Sequence, residues 1–336
     1  MINKKTKFCK AAALLGAAVM MISALAGCGK NTKVVLTAGL KKNEVFRISS
    51  ASCVLPEVMV YLTNMQNQYE SVYGSQIWNA SDGQLSLERE EREQVLTQLA
   101  RIKVMNLLAQ KKEVTLDDKE KERAAAAGRE YFTSLNSAEV TALNVTQDLI
   151  TKMYEEYALA EKVYQTIVEN VNPEVSDDEA RTITVDMIRV SDSAKASQVL
   201  GKAKEEGVDF ETLAQAESED QTVTQSFGKG EVSEALEKAA FNLGKDEISD
   251  VVESDGSYYI LKCISTFDEA QTKANKEKIV KQRQSEAFDT EYTAFEQTLV
   301  RQLNEELWNS VTMIHQDDVK TSSFFEVYQM YFQHQE

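Results

Sequence analysis

Two kinds of side chain decide which reactions this chain can run: imidazoles and thiols. Among 336 residues there are two histidines, His315 and His334, both near the C-terminus. The stretch 174–268 holds none. A serine or cysteine nucleophile needs a neighbouring base to take its proton, so a Ser-His-Asp or Cys-His arrangement is excluded there. The four cysteines, Cys9, Cys28, Cys53 and Cys263, form no CxxC pair and no Cys/His cluster at metal spacing. No metal site and no cofactor is expected. An oxidising compartment would let Cys53 pair with Cys263, but they fall in different expected domains and read as two isolated buried thiols. "AAAAGRE" around Ala124 is a helix former and not a phosphate loop. The run Glu88–Glu93 reads as a solvated helix face.

Charge narrows the partners. The formal net charge is −17, which favours solubility and argues against nucleic acid. The N-terminus breaks the pattern with Lys4, Lys5, Lys7 and Lys10 ahead of an apolar run from Ala11 to Ala26. That run is short for a spanning helix, which needs about 20 apolar residues, so it reads as a signal segment. It ends in Leu25-Ala26-Gly27-Cys28, which resembles the lipobox of bacterial lipoproteins. The resemblance implies cleavage after residue 27, lipid on Cys28 and a protein held on the extracytoplasmic face of the cell membrane.

The elements that must carry any site follow from periodicity. Only 2 prolines and 13 glycines, with 27% charged residues, describe a helix-rich chain with short loops. Residues 28–55 read as a tether and a short extended segment, and Pro56 opens a first helix that stops at Gly74. Val95, Leu99, Ile102, Met105 and Leu108 stripe a second helix over about 85–112. Thr115 to Asp118 resembles a capping box for a third. A longer helix is expected from Thr146 to Val171, with Leu149, Met153, Tyr157, Ala160, Tyr164 and Ile167 inward. Pro173 breaks the pattern. Beyond it come strand, two helices, strand, helix and two strands, an order that predicts an antiparallel-rich sheet with helices packed on it. From Asp268 the chain returns to helix as far as Trp308, with Phe288, Tyr292, Phe295, Leu299, Leu303 and Leu307 in need of a partner surface. The tail "SSFFEVYQMYFQHQE" reads either as a capping helix docked on the helical domain or as an exposed aromatic strip that touches clients.

One segment carries a specific resemblance. "DFETLAQAESED", "FGKG", "LEKAAFNLGKDEIS" and "YYILK", in that order, resemble a parvulin-type peptidyl-prolyl isomerase over residues 182–265. With the lipobox, a helical region before it and a long helix after it, the whole resembles the PrsA-type foldase lipoproteins, relatives of the SurA chaperones. The resemblance implies an α+β chain: a helical chaperone segment at 56–173, an inserted β-α-α-β-α-β-β domain at 174–268, and C-terminal helices at 269–336 that pack back on the first. Residues 1–27 would be the signal and 28–55 the tether.

The same resemblance implies the site. The family's two histidines fall at Met187 in "MIRV" and at Tyr259, and its Cys or Asp falls at Asp220. Its apolar proline shelf falls at Phe227, Val232 and Leu236, and the glycine-rich loop before that Phe is shortened to "QTVTQSF". Asp220 and Tyr259 are thus the candidate catalytic polar groups, and Met187, Phe227, Val232 and Leu236 the candidate proline-binding floor. Twisting a desolvated amide needs no proton transfer, so lost histidines do not by themselves end catalysis. The expected partners are unfolded or newly exported polypeptides with X-Pro segments. Two readings stay open: a foldase with a degenerate isomerase site, and a non-catalytic chaperone or scaffold whose module only holds peptide. A transporter's solute-binding lipoprotein would need alternating βα units in two lobes, which the pattern lacks.

Overall fold

The computed structural model describes residues 39–79 and 86–333. The signal-like segment, Cys28 and His334 lie outside the described residues. Contacts divide the chain into two compact units, Met1–Asn170 with Glu286–Glu336, and Val171–Ser285.

The first unit is mostly helical. Strands β1 (Glu44–Ile48) and β2 (Ala51–Val54) form a hairpin that leads directly into α1 (Leu55–Tyr73). Pro56 sits in the first turn of α1, where its missing N–H costs nothing. Then come α2 (Leu87–Lys111), α3 (Asp118–Ser134), α4 (Ser137–Leu143) and α5 (Gln147–Val168). The α3 capping box is Asp117 with Glu120, two residues on from the one expected at Thr115: Glu120 N donates to Asp117 Oδ1 at 2.8 Å, and Asp117 N donates back to Glu120 Oε2 at 2.7 Å.

Two expectations for this unit need correction. On α5 the buried residues are Ile150, Met153, Tyr154, Ala158, Val163, Ile167 and Val168, while Leu149, Tyr157, Ala160 and Tyr164 pack only at the rim. Both α2 and α3 lie against this helix, so it is covered around most of its girth and a single stripe misjudges it. The run Glu88–Glu93 is also not uniformly solvated, since Glu91 is buried.

The second unit is α+β. After the short α6 (Asp177–Ala180) the order is β3 (Ile183–Val190), α7 (Ser193–Ala203), α8 (Phe210–Glu217), β4 (Thr224–Phe227), α9 (Glu234–Phe241), β5 (Val252–Ser254) and β6 (Ser257–Ser265). The sheet is antiparallel in the spatial order β4-β3-β6-β5. Asp255 and Gly256, both at positive φ, make the two-residue turn between β5 and β6, as a right-twisted hairpin requires. Period-2 alternation on β3 sends Ile183, Val185 and Met187 into one apolar cluster, covered by α9, and Ile188 and Val190 into the other, covered by α7 and α8.

The helix after this unit, α10 (Glu269–Glu296), ends earlier than the expected Trp308. Its first half belongs with the second unit, where Lys276 pairs with Asp177, Arg283 with Glu179, and Asn275 donates to the Ala180 carbonyl. Its last turns, with Phe288 and Phe295, belong to the core of the first. Next, β7 (Arg301–Leu303) pairs antiparallel with β1, completing a sheet of order β2-β1-β7. That pairing satisfies an edge of β1 that would otherwise stand open, and a local helical pattern cannot report it. Finally α11 (Glu305–Asn309) and α12 (Phe324–Phe332) close the first unit. Phe324, Val327 and Tyr328 of α12 are buried, so the tail is a docked helix and not an open aromatic strip. Cys53 and Cys263 are both free and buried.

Candidate functional site

The candidate floor residues come together on one face of the second sheet. β3 contributes Met187, the end of β4 contributes Phe227, and α9 contributes Leu236; all three are in the same buried cluster as Leu261, Cys263 and Ala240. Their exposures are 6%, 6% and 9%, so these side chains are core first. Val232, just before α9, and Tyr259 on β6 are only half-buried against that cluster. Of the five apolar and phenolic candidates on this face, Val232 and Tyr259 are therefore the more accessible.

Local sequence explains the placement. Ser233 caps α9, with Leu236 N donating to its Oγ at 3.5 Å, and this turns Leu236 and Ala240 inward. In "FGKGE", Glu231 accepts from Gly228 N at 2.8 Å and closes the turn that hands Phe227 over to α9. Register places Met187 opposite Leu261 and Arg189 opposite Tyr259.

Asp220 reaches the face through a residue that sequence reasoning missed. Arg189 Nε donates to Asp220 Oδ1 at 2.7 Å, and Arg189 Nη1 donates to Ser257 Oγ at 3.3 Å. The strand is tied to the Asp220 loop as well: Ser218 Oγ accepts from the backbone N–H of both Arg189 (3.1 Å) and Asp220 (3.2 Å). The Arg189 and Asp220 side chains are 30% and 32% exposed. The hydrogen bond to Asp220 and then its charge raise the guanidinium's pKa above its ordinary value, so Arg189 is a permanent cation here. A signal for it was present: two residues after Met187 on a strand means the same face, and a charge in "ITVDMIRV" on that face calls for a partner. His315 belongs to the other unit, within reach of Gln66 at 3.5 Å.

Chemically, the face offers an apolar floor, one phenol, one thioether and one arginine–carboxylate pair. The thioether is only a weak acceptor. The arrangement suits burial of a small apolar ring beside fixed hydrogen-bonding groups. Among the described residues no group of His, Cys, Asp and Glu is disposed to hold a metal ion.

Residues 161–278 match the family described as the PPIC-type PPIase domain, a span that contains every candidate residue on this face. This segment is a parvulin-type domain. The foldase protein PrsA of Streptococcus pneumoniae (strain Hungary19A-6) is 31% identical over 165 residues, which cover 44% of this chain and 53% of that protein. The chain thus spans about half the length of the curated relatives it matches. Among solved structures, the peptidylprolyl isomerase PrsA of Bacillus cereus aligns at 19% identity over 72% of this chain and 91% of that one, with a TM-score of 0.37. PrsA of Bacillus subtilis aligns at 24% identity over 71% and 91%, with a TM-score of 0.26. Among the described residues no helix is long and apolar enough to cross a membrane.

Proposed function

We propose that this protein is an extracytoplasmic foldase or chaperone, held to the membrane by lipid on Cys28, that assists exported polypeptides. In this reading residues 1–27 are a removed signal and 28–55 a tether. The helical segments 56–173 and 269–336 form the chaperone domain, and the parvulin-type domain at 174–268 holds X-Pro segments. The observation that carries it is the half-buried pair Val232 and Tyr259 over the Met187–Phe227–Leu236 floor, inside a segment that matches the PPIC-type family. A proline ring set there would be removed from water at roughly 25 cal/mol per Å² of apolar surface.

The same face favours binding over fast isomerisation. With Met187 and Tyr259 where the family has histidines, and Asp220 engaged by Arg189, the polar centre is rebuilt around a different cation. Uncatalysed X-Pro isomerisation takes tens to hundreds of seconds, so even weak acceleration is measurable.

The test is titration of a labelled Pro-containing peptide against the mature protein, with the isomerisation rate of the same peptide followed in parallel. Leu236→Asp is the wrong probe, because Leu236 is core and a charge there would unfold the domain. Val232→Asp is the informative variant: weakened binding with an unchanged melting profile supports the reading, and unchanged binding overturns it. For the anchor, Cys28→Ala should release the protein from membranes, and an unmodified Cys28 at the mature N-terminus would refute that part.

A further inference from the structure

Arg189 is set up to do more than satisfy Asp220. A guanidinium carries five N–H donors in a fixed fork. Here Nε is used by Asp220 and one hydrogen of Nη1 by Ser257, while Nη2 has no partner among the described residues. The group stands directly across the strand pair from Tyr259 and on the face that holds Met187, and about a third of it is open. Of the neighbouring charges, Glu219 accepts from Ser191 N and Oγ and acts on Arg189 more weakly than Asp220 does, and Lys195 lies with Glu217.

We propose that Arg189 is the specificity-determining residue of the parvulin-type face: its unspent N–H groups take a main-chain carbonyl oxygen of the bound peptide, and Asp220 holds the guanidinium so that the site does not select acidic residues beside the proline. This rests on the reading that the face binds X-Pro segments. The argument is one of charge. An acidic side chain that approached Nη2 would gain attraction from the cation but meet repulsion from Asp220, whose carboxylate sits 2.7 Å from Nε. A neutral carbonyl oxygen keeps the hydrogen bond and avoids most of that repulsion. Every peptide has such a carbonyl, so the pair suits a binder of varied clients. Complementary and repulsive charges placed in this way set preference more than total affinity.

The experiment uses the intact mature protein and three labelled peptides that differ only in the residue before proline: alanine, glutamate or lysine. Wild type should bind all three within about threefold of one another. Asp220→Asn keeps a hydrogen-bond acceptor but removes the opposing charge, so it should favour the glutamate peptide over the alanine peptide by about tenfold, an effect that fades in high salt. Arg189→Met should weaken all three, and in the double variant the glutamate preference should vanish. If Arg189→Met fails to fold by its melting profile, the Asp220→Asn preference decides alone. An Asp220→Asn protein with wild-type preferences overturns the assignment of Arg189 while leaving the peptide-binding reading intact. A wild-type protein that binds none of the three overturns both.

Discussion

The Tyr154 ring lies flat on the Phe324 ring, with centroids 4.4 Å apart and planes 11° from parallel. The Tyr154 hydroxyl also donates to the Phe324 carbonyl at 2.8 Å. One residue is on α5 and the other at the start of α12, so the pair fastens the C-terminal tail into the helical core. Tyr61 and Tyr131 flank the same Phe324 ring, each at 5.3 Å. Offset and edge-on aromatic contacts of this kind add about 0.5–1.5 kcal/mol beyond area burial.

Phe324→Ala should therefore destabilise the helical unit by about 3–5 kcal/mol, read as a lower denaturant midpoint. Phe325→Ala, at the rim, should cost clearly less. Equal losses would show that the ring stack is not what seats the tail.

Lys103 is the second expected weak point. Its Nζ is buried and sits 3.0 Å from Glu57 and 2.6 Å from Glu156. Burial pulls its pKa down, and the two carboxylates more than reverse this, leaving it raised. Glu57 is buried too, and its other oxygen accepts from Val54 N at 3.1 Å, at the entry to α1. Lys103→Met should cost about 3–5 kcal/mol, because it strands a buried carboxylate. Adding Glu57→Gln and Glu156→Gln should recover part of the loss. A triple variant as unstable as the single one would show that packing, not charge, is at stake.

Glu91 makes a pH prediction. Burial raises its pKa above 4.5, a shift that a hydrogen bond from Tyr69 only partly opposes. Its Oε2 has no hydrogen-bond partner among the described residues. The folded state then holds this proton more tightly than the unfolded state, so its contribution to stability falls as pH rises from the ordinary carboxyl value through the raised one. Glu91→Gln should raise the melting midpoint at pH 7 and bring no gain near pH 4, where both forms are neutral. The same gain at both pH values would refute the charge argument.

Gly128 tests close packing. It lies on α3, where glycine costs about 1 kcal/mol relative to alanine. Yet a Cβ there would stand 2.3 Å from Thr151 Oγ1 and 2.8 Å from Thr151 Cα on α5. The backbone atom cannot swing aside, so Gly128→Ala should destabilise despite its better propensity. A higher melting midpoint in this variant would show that α3 and α5 separate easily.

Much of the architecture was legible in the sequence alone, because it is written in local terms. Pro56 and Gly74 bracket α1, and the strand-and-helix order after Pro173 marks the second unit. The parvulin-type motifs fixed the order of elements between 183 and 265, and with it the clustering of Met187, Phe227, Val232, Leu236 and Tyr259. Only the tertiary structure decided what depends on partners far away in sequence. The stretch after α10 becomes a strand because β1, some 255 residues earlier, offers it an edge. Glu91 is drawn into the interior from an acidic run that looks solvated. The floor residues sink into core, leaving Val232 and Tyr259 half-buried. Asp220, without a histidine neighbour, is met by Arg189 from 31 positions away. Hydrogen bonds and ion pairs act through space over about 3 Å, and one-dimensional spacing reports such distances only within a single helix or strand.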